Sequence, residues 1–226
     1  MELLLDSANL NELAGGLRDL PVAGVTTNPT ILKKEGEVDL LTHLQDIQRL
    51  CGAHRSLHVQ VVATDAAPMQ AEARHILDTL GGETYIKVPV SEAGITVIGQ
   101  LVRAGTHVTA TAVYTSLQGM LAVLAGASYV AVYCGRIDRA GGSSQAVLHE
   151  IADFIRRGGF HTRLLAASFR EPQAIADAFA AGADSVTAAP ALLRAGLSLP
   201  CIGEATDAFR ADFEAVYGAG ATMQRL

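Results

Sequence analysis

One lysine stands where this chain has little reason to put one. Of the 17 basic side chains only Lys33, Lys34 and Lys87 are lysines, and Lys87 lies inside the apolar run Tyr85-Ile-Lys-Val-Pro-Val90. An ammonium turned toward the interior of a sheet is partly desolvated, which lowers its pKa and favours the neutral amine. A neutral amine attacks a carbonyl carbon. The iminium it forms withdraws electrons, so that the neighbouring carbon loses a proton or breaks a C–C bond to give an enamine. That is aldol chemistry without a metal or other cofactor. The competing reading turns Lys87 outward, or lets it snorkel to a rim as a structural cation.

Further polar residues fall at or just after the ends of short apolar runs: Asp6, Thr27 with Asn28, Gln60, Thr111, Tyr133 with Arg136, and Ser168. Asp6 is suited to holding a hydroxyl of a ketone donor or to proton transfer, against a role capping the next helix. Asn28 and Thr27 are candidate substrate ligands, although Asn28 before Pro29 also fits a turn residue leading into a helix. Gln60 and Thr111 can orient a water but are not bases, which leaves Tyr133 as the group to move a proton. Arg136 offers a bidentate fork to a phosphate, and Ser168 a hydroxyl beside the seventh helix of the pattern. The alternative for Arg136 is an ion pair with Asp138.

These residues converge only if their runs are neighbouring strands of one sheet. Eight β-type runs alternate with helical patterns: Glu2–Asp6, Gly24–Thr27, Leu57–Val62, Thr84–Val88, Val108–Ala112, Tyr129–Tyr133, Arg163–Ala167 and Ser185–Thr187. Between them, segments such as 9–19, 68–80, 91–104, 116–124 and 144–157 repeat apolar residues at three and four positions, the helical period. Ser91 and Ser116 are expected N-caps, and Gly81, Gly105, Gly126, Gly158 and Gly182 expected left-handed helix ends. Repeated βα units predict an α/β fold, a (β/α)₈ TIM barrel of one domain over 1–226, with a doubly wound open sheet as the second choice. In such a barrel active sites form at the C-terminal ends of the strands, where the polar set lies. Residues 203–217 predict an additional C-terminal helix with Phe209 and Phe213 on one face. That face either folds back on its own barrel or meets another subunit.

Composition narrows the partners. A net charge of −6 over 226 residues gives no basic field for nucleic acid or an anionic membrane. The N-terminal residues lack a basic, apolar leader pattern, and no window reaches the roughly 18 apolar residues of a membrane span, so a cytoplasmic protein is expected. Cys51, Cys134 and Cys201 are odd in number and far apart, which suits a reducing compartment. His54 and His58 stand four apart without a third ligand nearby, so no metal site is expected.

Five motifs in order carry a resemblance: Leu5-Asp-Ser-Ala-Asn9, Gly24-Val-Thr-Thr-Asn-Pro-Thr30, Ile86-Lys-Val-Pro-Val90, Thr109-Ala-Thr-Ala-Val-Tyr114 and Ala166-Ala-Ser-Phe169. From Met1 to about Tyr217 the chain resembles the fructose-6-phosphate aldolase and small transaldolase family. The resemblance implies a (β/α)₈ barrel, Lys87 as the Schiff-base lysine of a class I aldolase, and a homodecamer of two stacked pentamers whose C-terminal helix reaches a neighbour. Its transaldolase branch carries Glu at the position of Gln60 and Phe at that of Tyr133, so both residues here resemble the aldolase branch. Gly135 before Arg136 instead resembles transaldolases, where aldolases of this type usually carry Asn. The implied reaction is reversible cleavage of fructose 6-phosphate to dihydroxyacetone and glyceraldehyde 3-phosphate. Two alternatives stand beside it: a transaldolase passing the three-carbon unit between sugar phosphates, and a non-catalytic barrel holding pyridoxal phosphate on its lysine.

Overall fold

In the computed structural model, which describes residues 1–225, eight parallel strands close into a barrel in the order in which they occur along the chain. They are β1 (Glu2–Asp6), β2 (Gly24–Thr26), β3 (Ser56–Gln60), β4 (Tyr85–Pro89), β5 (Val108–Val113), β6 (Tyr129–Tyr133), β7 (Arg163–Ala167) and β8 (Ser185–Ala188), with β1 pairing β8 to complete the ring. The helices are α1 (Leu10–Asp19), α2 (Pro29–Leu32), α3 (Leu40–Cys51), α4 (Ala66–Leu80), α5 (Glu92–Arg103), α6 (Ser116–Leu124), α7 (Cys134–Arg139), α8 (Ser144–Gly158), α9 (Pro172–Ala180), α10 (Pro190–Leu197) and α11 (Pro200–Tyr217). The (β/α)₈ barrel expected from the repeated units is the observed fold, and the open sheet is excluded by the β1–β8 pairing.

Strand alternation sorts the apolar residues into two cores. One lies between sheet and helices and takes Leu5, Val25, Val59, Ile86, Val130 and Leu164 from the strands, with Leu148, Ile151 and Ile155 from α8. A fully buried Leu or Ile contributes about 1.5–3 kcal/mol relative to exposure, so this layer supplies most of the driving force. The second, smaller cluster joins Leu4, Tyr129, Ala131 and Leu165 inside the barrel. Much of the rest of the barrel interior is polar and hydrogen-bonded. His58, fully buried, has Nδ1 2.8 Å from Thr109 Oγ1 and Nε2 3.0 Å from Ser56 Oγ, and its ring stacks on Tyr85. Burial and the charge of Lys87 push its pKa well down, so His58 is neutral.

Several expected boundaries move for local reasons. Thr115, not Ser116, caps α6, because Thr115 and Gln118 form a reciprocal capping box. The left-handed residue after α8 is Gly159, Gly158 being the last helical residue, whereas Gly81, Gly105, Gly126 and Gly182 have the positive φ expected of them. β5 runs on to Val113 through a bulge in which Ala112 has φ 57° and the pairing with β6 shifts between Ala110 and Val113. An added residue in one strand breaks the two-residue alternation and re-aims the side chains beyond it. The C-terminal helix starts at Pro200 and buries none of its residues, with Phe209 71% and Val216 74% exposed. It does not fold back on its own barrel.

Candidate active site

The C-terminal ends of the strands open on a pocket of about 170 Å³ lined by Asp6, Asn28, Lys87, Thr111, Tyr133, Arg136 and Ser168, among others. Seven of the nine residues singled out by type and spacing therefore converge. A roomier hollow of about 230 Å³ lies among α7, α8 and α9, but it holds neither Lys87 nor Tyr133, so chemistry and not volume selects the site.

Lys87 points into the barrel and is 4% exposed. Its Nζ donates to the Thr27 carbonyl at 2.6 Å. Burial lowers the amine's pKa from the usual 10.5, and the negative charge of Asp6 opposes part of that fall. Asp6 is held by the Thr26 hydroxyl at 2.6 Å, and the same hydroxyl lies 2.7 Å from Thr187 Oγ1. The expected alternative for Asp6, capping the next helix, does not occur: Asn9 caps α1 by accepting from the Asn11 and Glu12 N–H groups. Asp6 is therefore left for the pocket.

Tyr133 lies opposite. The Thr111 hydroxyl donates to its phenol oxygen at 3.2 Å, which leaves the phenolic proton free for another acceptor. Burial raises the Tyr133 pKa above 10, while Thr111 and Arg136 partly offset the rise. The Arg136 guanidinium sits 4.6 Å above the Tyr133 ring. Arg136 makes no ion pair with Asp138, whose carboxylate is occupied by the Ser144 N–H at 2.8 Å and the Ser144 hydroxyl at 2.9 Å.

Three expectations take a different form. Thr27 does not line the pocket: its hydroxyl donates to the His58 carbonyl at 3.1 Å, and its tie to the site is the backbone oxygen that receives Lys87. Gln60 pairs with Lys87 across β3 and β4 without lining the pocket, and its buried Oε1 has no partner among the described residues. Ser168 lines the pocket but lies four residues ahead of α9, whose cap residue is Glu171, so it is not at that helix's N-terminus. Asn28 caps α2, its Oδ1 accepting from the Ile31 N–H as a turn residue before a helix would, and the residue also lines the pocket.

Gly135 has a steric explanation. Ser168 adopts a left-handed φ of 71°, which turns its carbonyl onto the Gly135 N–H at 3.1 Å. A Cβ at position 135 would overlap that carbonyl oxygen. Only glycine lets this turn close against the start of α7, which carries Arg136.

Sequence reasoning missed Thr26 and Thr187, which orient Asp6, and Tyr114, whose phenol oxygen accepts from Arg136 at 3.1 Å. The two threonines were within reach, since two-residue alternation from Asp6 and Lys87 turns their counterparts on β2 and β8 inward. Tyr114 was hidden by the bulge.

Fold and pocket are those of a barrel enzyme with its site at the C-terminal face. Residues 3–226 match the family described as Transaldolase/Fructose-6-phosphate aldolase, and the chain belongs to that family. It is 39% identical over 213 residues to a probable fructose-6-phosphate aldolase of Streptococcus pneumoniae (strain ATCC 700669 / Spain 23F-1), covering 94% of this chain and 96% of the relative. Membership in a family of enzymes sets aside the non-catalytic carrier. No helix among the described residues is long and apolar enough to cross a membrane.

Proposed function

We propose that this chain is a Schiff-base aldolase that reversibly cleaves fructose 6-phosphate to dihydroxyacetone and glyceraldehyde 3-phosphate without a metal. The observation that carries the reading is a buried lysine of lowered pKa sharing one pocket with a protonated tyrosine and a carboxylate. Lys87 Nζ attacks the C2 ketone, and loss of water leaves an iminium. Once the iminium charge is in place, Tyr133 gives up its phenolic proton through the pocket water to solvent, and the phenolate takes the C4 hydroxyl proton as the C3–C4 bond breaks. The bonding pair moves to C3 to form the enamine, and glyceraldehyde 3-phosphate leaves. Protonation at C3 and hydrolysis then release dihydroxyacetone and restore the amine.

Asp6 and Asn28 hold the donor hydroxyls. Thr111 holds the water, Gln60 joins it once its side chain, now outside the pocket lining and with Oε1 unpartnered among the described residues, turns inward, and Arg136 and Ser168 hold the phosphate. The reaction belongs in the cytoplasm, where the chain's three unpaired cysteines are at home. Transaldolase is the second reading, favoured by Gly135, the residue that resembles that branch.

The test is borohydride reduction of the protein with dihydroxyacetone and with fructose 6-phosphate, followed by peptide mapping. A reduced three-carbon adduct on the Lys87 peptide is expected; no adduct with either ketone would sink the mechanism. Release of free dihydroxyacetone, set against formation of sedoheptulose 7-phosphate when a sugar-phosphate acceptor is supplied, separates the two readings.

The single domain extends over 1–226 and assembles as a decamer of two pentamers, with α11 as the intersubunit arm. Support for the arm comes from its exposed Phe209, Val216 and Tyr217 and from the lack of any buried residue on α11. Light scattering is expected to give about ten times the 23.6 kDa chain mass. A monomer would overturn the assembly.

A further inference from the structure

The bulge in β5 does more than interrupt the ladder. Thr109 and Thr111 face the barrel interior, where Thr109 bonds His58 and Thr111 bonds Tyr133. Regular alternation would send Val113 inward next. The extra residue at Ala112 instead delivers Val113 to the core between sheet and helices, and Tyr114 to the pocket side of the rim. There the Tyr114 ring stands edge-on to Tyr133, with centroids 5.7 Å apart and planes at 70°. Its backbone is fixed by the α6 capping box, whose Gln118 Oε1 accepts the Tyr114 N–H at 2.8 Å. The non-glycine left-handed residue that makes this possible costs on the order of 1–3 kcal/mol, a strain that surrounding contacts must sustain.

Arg136 is exposed and, among the described residues, has no carboxylate partner. A free arginine side chain carries about 2 kcal/mol of rotamer entropy, which an incoming anion would have to remove. Two tyrosines remove part of it beforehand. Tyr114 accepts from Nη1 at 3.1 Å, and the Tyr133 ring lies under the guanidinium at 4.6 Å. Nε and Nη2 remain for a bidentate oxyanion.

We propose that Tyr114 is a positioning residue that holds the Arg136 guanidinium over the Tyr133 ring, and so sets the preference of this site for acceptor aldehydes bearing a phosphate. This rests on the reading of Arg136 as the phosphate ligand. Tyr114 contacts neither the amine nor the breaking bond. It acts on substrate choice through the guanidinium.

The test compares glyceraldehyde 3-phosphate with glyceraldehyde as acceptor for dihydroxyacetone, in the wild type, Tyr114→Phe, Arg136→Ala and the double variant. Tyr114→Phe keeps the ring and removes one hydrogen-bond acceptor. It is expected to lower the ratio of kcat/KM for the phosphorylated over the plain acceptor about five- to tenfold, mainly through KM. In the Arg136→Ala background the same change should leave that ratio unaltered, because there is no guanidinium left to position. A ratio unchanged by Tyr114→Phe while Arg136→Ala lowers it overturns the proposal and leaves the phosphate reading intact. A ratio unchanged by Arg136→Ala overturns both. A fall of equal size in the two backgrounds marks Tyr114 as a general support of the fold and also overturns the proposal.

Discussion

Lys87→Met is expected to lower kcat by about four orders of magnitude or more and to abolish the borohydride-trapped adduct. Methionine matches lysine in length and lies comfortably in an apolar wall, so the pocket keeps its shape while losing its nucleophile. Two stability effects oppose each other. The Thr27 carbonyl loses the donor it now has at 2.6 Å, at a cost of about 1–3 kcal/mol, while the protein no longer has to desolvate an amine. A circular-dichroism melt near that of the wild type, together with lost activity, separates chemistry from unfolding. An adduct that persists in the variant would show that some other amine carries the reaction.

The same residue fixes the direction of the pH dependence. Attack needs the free base, and burial favours the free base, so the rising limb of kcat/KM for the wild type should titrate below the 10.5 of an ordinary lysine. A limb at or above 10.5 would mean that Lys87 is solvated in the working enzyme.

Tyr133→Phe is the second large effect. Loss of a positioned general acid or base slows a proton-transfer step by about 10²–10⁴-fold, and the fall is expected in kcat. Formation of the trapped adduct with dihydroxyacetone should survive, because Lys87 and Asp6 are untouched. With its pKa raised above 10, the phenol is protonated at neutral pH and can donate, and Thr111 donates to it without competing for its own hydrogen. Kinetics in which C–C cleavage proceeds at the wild-type rate in Tyr133→Phe would transfer the acid/base role elsewhere. A loss of trapping in step with kcat would instead make Tyr133 a contributor to iminium formation.

Legibility in the sequence divides along the range of the forces involved. The eight strands and the convergence of Asp6, Lys87 and Tyr133 come from alternation and element order, which are local patterns repeated along the chain. Lys87 is visible because an apolar run in a lysine-poor chain has no structural use for it. The bulge at Ala112 is not visible, since alanine is not a residue that announces a left-handed φ, and a period-two reading therefore turns Val113 the wrong way and overlooks Tyr114. Ser168 reads as a helix-terminus residue because its own positive φ and the four-residue gap to Pro172 depend on contact with Gly135, a residue 33 positions away. Gly135 itself stands out as an oddity of sequence, but its reason is a carbonyl from another strand end.

The bare surface of α11 has a consequence in mass action. A helix of 18 residues that buries nothing on its own chain gains little from tertiary packing, and an isolated helix of that length is marginal in water. If neighbouring copies cover it, its ordering is linked to association and its melting is set by protein concentration as much as by temperature. Dilution then becomes a denaturant for this one element: the barrel persists while the arm frays, and samples compared at different concentrations are not the same protein.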